Sequence, residues 1–234
     1  APSAWPAALT QQWKIKVGTG DATPILVGKR LYLHTRQENS EVILCLDAAT
    51  GKDIWTDKYE APPVTGPAGS HPGPRSTPAY ADGKVVTYGT SGILSCLDAA
   101  TGKVVWRKEN PVNAVPQFFT GMSPLISDGI CIAHVGGKDN GTILALDLKT
   151  GNEKWSWKGD GPAYASPSLM VISGKKHIVV QTEKNLMAFD FSTGKLLWQI
   201  PAVPSQRFYN CVSPYIDGTK IYYTGQGTGI KAIE

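Results

Sequence analysis

No apolar run in this 234-residue chain approaches the ~18 residues that a membrane-spanning helix needs. The opening stretch, "APSAWPAALTQQW", carries neither the charged n-region nor the apolar h-region of a signal peptide. The four cysteines, Cys45, Cys96, Cys131 and Cys211, have no CxxC spacing and no partnering histidines, which argues against metal or redox chemistry and for buried free thiols. Basic residues outnumber acidic ones by only four and are scattered. Nucleic-acid binding would instead need a clustered basic face. No segment keeps an amphipathic 3.6-residue period over three turns, so helical repeats are excluded.

What is present is turn chemistry and aromatic bulk. The chain has 25 glycines and 17 prolines, above the usual ~12% share, with seven Trp, nine Tyr and five Phe. The glycines and prolines lie between short apolar runs, which fits an all-β chain rather than disorder. "LDAATGKDIW" at residues 46–55 returns as "LDAATGKVVW" at 97–106, as "LDLKTGNEKW" at 146–155 and as "FDFSTGKLLW" at 189–198. Self-similarity at such a period marks a repeat architecture.

Each decapeptide contributes an Asp, a Gly and a Trp: Asp47, Gly51 and Trp55; Asp98, Gly102 and Trp106; Asp147, Gly151 and Trp155; Asp190, Gly194 and Trp198. An Asp at the first position can accept backbone N–H groups two and three residues on. The Gly supplies a positive φ that other residues reach at a cost. A large ring at a fixed offset on the outgoing strand can bury against the neighbouring repeat. The decapeptide therefore reads as a turn and an interface plug, not as a catalytic motif.

Upstream of every Asp lies a second marker: Ser or Thr, then Pro, a short apolar run, a Gly turn and an alternating run, as in "STPAYADGKVVTYGT" at 76–90. That is strand, turn, strand. A third apolar run and the decapeptide's outgoing strand complete a four-stranded unit. Four strands at this period match a blade of a β-propeller. The expected fold is all-β, a single propeller domain over 1–234, with blades near 19–56, 74–107, 120–157 and 163–200 and an incomplete one at 210–234. Cys45 and Cys96 fall at equivalent strand positions in neighbouring repeats, poor ones for a disulfide.

The pattern Ala/Leu-x-Asp-x-x-Thr-Gly-Lys-x-x-Trp resembles the pyrroloquinoline quinone (PQQ) repeat. That repeat is found in quinoprotein dehydrogenases and in non-catalytic propellers such as the outer-membrane-assembly lipoprotein. The resemblance covers nearly the whole chain. It implies a propeller in a periplasmic or secreted setting. For the dehydrogenases it also implies PQQ on a tryptophan floor, a Ca²⁺ or similar ion, an Asp base and often a disulfide between adjacent cysteines. This chain has no adjacent cysteine pair and no evident Asp/Glu/Asn constellation on its loops. The function expected is a non-catalytic scaffold or binding module with no cofactor. The alternative is a PQQ-dependent alcohol or sugar dehydrogenase using PQQ and Ca²⁺.

PQQ-type propellers usually have seven or eight blades, and the last residues align so that Glu234 stands where Asp147 stands. The expectation is an N-terminal portion of a longer ring, completed by further blades or by a protein partner. "LTQQWKIKVG" at 9–18 reads as the outermost strand of a blade whose inner strands lie elsewhere.

Ligands are expected where long connections sit on a rigid scaffold, at 56–76, 107–122, 156–165 and 199–212. These hold His71, Arg75, Gln117, Phe118, Phe119, Tyr164, Arg207, Tyr209 and Asn210, and the loops between second and third strands add His34, Arg36, His134, Lys138 and Asp139. Arg75, just before an inner strand, could bind an anion in a central channel. Ser76 and Thr77 near His71 lack the strained elbow and orienting acid of a hydrolase.

Overall fold

The computed structural model describes residue 4 and residues 7–109, 114–204, 209–225 and 227–234. The first sheet contains β1 (Ile25–Val27), β2 (Arg30–Gln37), β3 (Ser40–Asp47) and β4 (Asp53–Glu60). The second contains β5 (Ala79–Ala81), β6 (Lys84–Tyr88), β7 (Leu94–Asp98) and β8 (Val104–Lys108). The third contains β9 (Leu125–Ser127), β10 (Ile130–Gly137), β11 (Asn140–Asp147) and β12 (Glu153–Gly159). The fourth contains β13 (Ser168–Ile172), β14 (Lys175–Gln181), β15 (Asn185–Asp190) and β16 (Leu196–Pro201). A fifth, three-stranded sheet contains β17 (Tyr215–Asp217), β18 (Lys220–Thr224) and β19 (Ile230–Ile233). Strands follow sequence order in each sheet and pair antiparallel throughout, which is the blade of a β-propeller.

The repeated turn folds as its chemistry dictates. Asp47 Oδ1 accepts the Ala49 and Thr50 N–H groups at 3.1 and 2.9 Å and the Thr50 hydroxyl at 2.8 Å. Asp98, Asp147 and Asp190 repeat the arrangement with Thr101, Thr150 and Thr193. The Thr193 and Ser192 hydroxyls hold the Asp190 carboxyl down at about 2. In each four-stranded sheet the ladder slips at the residue pair just before the Asp, from Cys45/Leu46 to Ala188/Phe189.

The tryptophans then tie each blade to the next. Trp55 Nε1 donates to Ala99 O at 3.0 Å, Trp106 to Leu148 O at 2.9 Å and Trp155 to Phe191 O at 3.0 Å. Each acceptor directly follows the next blade's turn Asp, and each ring lies on that turn's glycine. At Gly151, where φ is +72°, an added Cβ would stand 2.7 Å from the Trp106 ring. Glycine is required there both for backbone conformation and for space. Trp198 is half-buried against Met170, Ile221 and their neighbours.

Trp13 makes the same contact with the first blade, donating to Ala48 O at 3.1 Å and lying on Gly51. Its segment forms no strand ladder, however. It meets the blade's backbone at Thr19, which bridges Arg36. The ring, the two backbone hydrogen bonds between Thr19 and Arg36 and the Gln37 Nε2 bond to Val17 O hold the segment where a strand was expected.

Two residues before each blade's first strand, the Ser/Thr-Pro marker has its own role. Thr77, Ser123 and Ser166 each donate a backbone N–H at 2.9 Å to the hydroxyl of Ser123, Ser166 and Ser213 in the following blade. Apolar clusters fill the spaces between blades. Tyr88, Cys96 and Trp106 pack on Cys131 and Leu146, and Ile132 and Trp155 pack on Ile178 and Phe189.

Cys45, Cys96 and Cys131 are buried free thiols, but Cys211 is exposed, because it lies on a connection rather than in a strand. Burial pushes the Cys96 thiol up to about 12.

Trp106→Ala is expected to cost about 3–5 kcal/mol, measured by chemical denaturation. Gly151→Ala is expected to cost about 1–3 kcal/mol through its positive φ alone, with the clash adding to that. Because both changes act on one contact, the double variant should lose less than their sum.

Candidate functional site

The long-loop rim gathers three aromatic side chains from different connections. Phe118 lies between β8 and β9, Tyr164 between β12 and β13, and Tyr209 between β16 and β17. Ring centroids are 5.2 Å apart for Phe118 and Tyr209, 5.5 Å for Tyr164 and Tyr209, and 6.3 Å for Phe118 and Tyr164. The first two pairs meet edge to face, the favoured geometry.

Polar contacts hold the cluster. Phe118 N–H donates to the Tyr164 hydroxyl at 3.0 Å, and Tyr209 donates its hydroxyl to Gln117 Oε1 at 2.7 Å. Arg75 donates to Phe118 O and His71 O, both at 2.8 Å. It fastens two loops together, and both contacts fall on backbone carbonyls rather than on an anion in a channel. Phe119 takes a positive φ of 63° and donates its N–H to Pro116 O.

Beside this cluster lies a cavity of about 310 Å³. Tyr164, Tyr209, Pro116, Pro162 and Val203 form its apolar walls, with Lys138 and Asn210 among its polar ones. Asn210 is fully buried; its Nδ2 donates to Thr182 O and Ala202 O, both at 2.8 Å. Its Oδ1 has no partner among the described residues. Burial pushes the Tyr164 phenol up to about 12, so it stays protonated at neutral pH.

The remaining expected site residues sit elsewhere. His34 and Arg36 are buried within β2 and His134 within β10, not on loops, because those strands continue for eight residues each. Arg36 spends its guanidinium on the carbonyls of Glu38, Ala61 and Pro62. His134 Nε2 lies 3.0 Å from Asp160 O, and burial lowers its pKa to about 4. His71 is exposed and pairs with Asp21 at 3.1 Å. Asp139 and Lys184 form an ion pair, and Lys138 is exposed at the cavity. Ser76 donates to Met122 O at 2.5 Å, which commits its hydroxyl. Arg207 lies outside the described residues.

One buried acid escaped sequence reading. Glu41, fully buried, accepts the Tyr59 hydroxyl at 2.6 Å on Oε2 and both the Thr90 hydroxyl and N–H on Oε1, at 2.6 and 2.8 Å. His34 Nε2 lies 3.4 Å away. Burial pushes the Glu41 carboxyl up, but His34 and the Thr90 and Tyr59 hydroxyls outweigh it and hold it at about 2. The carboxylate binds the first blade to the second. Its only sequence signal was an acid inside the apolar run "SEVILCLD".

The chain matches the family model described as outer membrane protein assembly factor BamB over residues 38–230. Tetrathionate hydrolase of Acidithiobacillus ferrooxidans is 28% identical, over 95% of this chain and 45% of its own length. The solved structure of BamB from Moraxella catarrhalis superposes with a TM-score of 0.63 at 19% identity, over 93% of this chain and 60% of that one. Quinohemoprotein alcohol dehydrogenase of Comamonas testosteroni gives 0.68 at 20% identity, over 89% and 40%. At those identities the structural likenesses show the fold alone. The chain spans less than half the length of the curated relatives it matches.

Glu41→Gln is expected to cost roughly 3–5 kcal/mol at pH 7, as loss of one member of a buried pair does. A carboxyl with a depressed folded pKa contributes fully above its unfolded value, near 4.3. That contribution is lost as pH falls through about 2. The stability gap between variant and parent should therefore close between about pH 4.5 and 2. Urea titrations across that window measure it.

Proposed function

Because the chain belongs to the PQQ-repeat β-propeller family described as outer membrane protein assembly factor BamB, we propose that it is a non-catalytic scaffold that docks a partner on its long-loop rim. The observation that carries this reading is the aromatic-walled cavity at Tyr164 and Tyr209. Partly exposed tyrosines held rigidly beside a hollow supply large contact area at low entropic cost, and Tyr is enriched where binding energy concentrates. The cavity's size falls at the lower end of ordinary ligand sites.

In this reading the scaffold works in the periplasm or is secreted. Further blades, or a protein partner, complete its ring. Nucleic acid has no part, since the basic residues are dispersed. No helix among the described residues is long and apolar enough to cross a membrane.

Quinohemoprotein alcohol dehydrogenases among the relatives raise the second reading. What weighs against it is how this part of the chain uses its aromatic side chains. Trp13, Trp55, Trp106 and Trp155 spend their rings and N–H groups between blades. Trp157 packs edge-on against Phe189 at 5.4 Å. Among the described residues no three His, Cys, Asp or Glu side chains converge as a metal site.

Incubation with PQQ and Ca²⁺ should give no dye-linked oxidation of alcohols or sugars above that of a Tyr164→Ala/Tyr209→Ala control, and no hydrolysis of tetrathionate. Turnover that saturates with PQQ, or thiosulfate release from tetrathionate, would replace the scaffold reading with an enzymatic one.

A further inference from the structure

His134 is fixed at the root of the loop that carries one wall of the rim cavity. The ring lies on β10, every residue of which is buried and paired with β11. Its Nε2 stands 3.0 Å from Asp160 O. A carbonyl only accepts, so Nε2 carries the hydrogen and Nδ1 is the nitrogen that an added proton takes. Nδ1 has no partner among the described residues. Gly141 encloses the ring further: a Cβ there would stand 2.8 Å from Nε2.

Asp160 is the first residue after β12, and the chain then runs through Pro162, Ala163 and Tyr164, which line the cavity. Scattered bonds hold this loop. Glu183 N–H donates to Gly161 O at 3.1 Å and Tyr164 N–H to Asn210 O at 3.0 Å. Among the charged groups around His134, Asp160 acts on the imidazole, and its Oδ2 accepts the Thr182 hydroxyl and Asn185 Nδ2 at 2.8 and 2.6 Å. Farther out lie Glu183, whose Oε1 accepts the Gly161 N–H, and the Asp139–Lys184 ion pair beside Lys138. On the same side β11, β12 and β14 present Ile143, Trp157, Ile178 and Val180, which carry no charge.

Burial disfavours the imidazolium and outweighs the pull of Asp160, so the folded pKa falls to about 4. A histidine in water titrates near 6.5. The closed form therefore binds the proton more weakly than the open one. Closure is fully favoured above about pH 6.5, and that advantage shrinks as pH falls towards about 4. The loop yields before the strand, because β10 is paired along its whole length.

We propose that His134 is an acid-sensitive latch: a proton on Nδ1 drives the ring towards water by releasing the loop at 160–164 from the third blade, which opens the cavity wall at Pro162, Ala163 and Tyr164. That acid thereby loosens whatever the rim holds rests on the rim-docking reading; the latch itself does not.

Amide hydrogen exchange of the unliganded protein at about pH 7 and 5, corrected for the intrinsic pH dependence of exchange, tests the latch. The reporters are the N–H groups of Glu183 and Tyr164, with that of Asp98, bonded to Lys103 O in the second blade, as reference. Opening at the two reporters should rise about tenfold or more in acid, and opening at Asp98 should not. His134→Gln keeps a donor without titrating and should abolish the rise. In the parent protein the His134 Cε1 resonance should report a largely neutral ring at pH 5, a reading that needs no substitution. Opening that ignores pH, or a ring that titrates near 6.5 in the closed protein, would overturn the latch. An equal rise in His134→Gln would assign the effect to a carboxylate instead, and an equal rise at Asp98 would make it global unfolding. Each of these failures leaves rim docking standing, since no ligand takes part.

Discussion

The contact on which the structure depends is a tryptophan ring laid on the glycine of the next blade's turn, with its N–H given to a carbonyl of that turn. Four such contacts, at Trp13, Trp55, Trp106 and Trp155, join successive units. Each combines apolar burial with a directed hydrogen bond, so it fixes both the spacing and the orientation of neighbouring sheets. The glycine must be glycine twice over, for its positive φ and for the ring above it. The turn Asp fixes the loop that presents that glycine, and so the whole decapeptide is constrained at once. That explains why it recurs with so little change.

This division of labour leaves the opposite rim free. The turns carry the interlock, and the Ser/Thr-Pro residues carry a second tie just ahead of each blade's first strand. The long connections therefore need not share one repeated pattern, and they can differ from one another. Phe118, Tyr164 and Tyr209 come from three unlike loops, yet they converge because the blades beneath them are held rigidly. A rigid base with variable loops is the usual arrangement of a binding face.

Architecture was legible in the sequence because it is periodic: Asp, Gly and Trp announce themselves by recurring. The rim was half legible. Phe118, Tyr164, Tyr209 and Asn210 were picked out by loop length alone and do lie together, but the cavity beside them depends on Pro162 and Val203, which have no distinguishing pattern. His34, Arg36 and His134 were misplaced because polar residues suggested strand ends. Inside β2 and β10 they meet Tyr59, Pro62 and Asp160 respectively, partners 25 or 26 residues away. Glu41 was missed for the same reason: its partner Thr90 is 49 residues away.

The central claim is that the tryptophan contacts close together, as one cooperative set. Hydrogen exchange of the indole N–H protons measures this directly. The account predicts that Trp55, Trp106 and Trp155 exchange only through global unfolding, with one common free energy, while Trp157, whose N–H has no protein acceptor among the described residues, exchanges faster. Independent exchange of the three, or exchange as fast as that of Trp157, would contradict it.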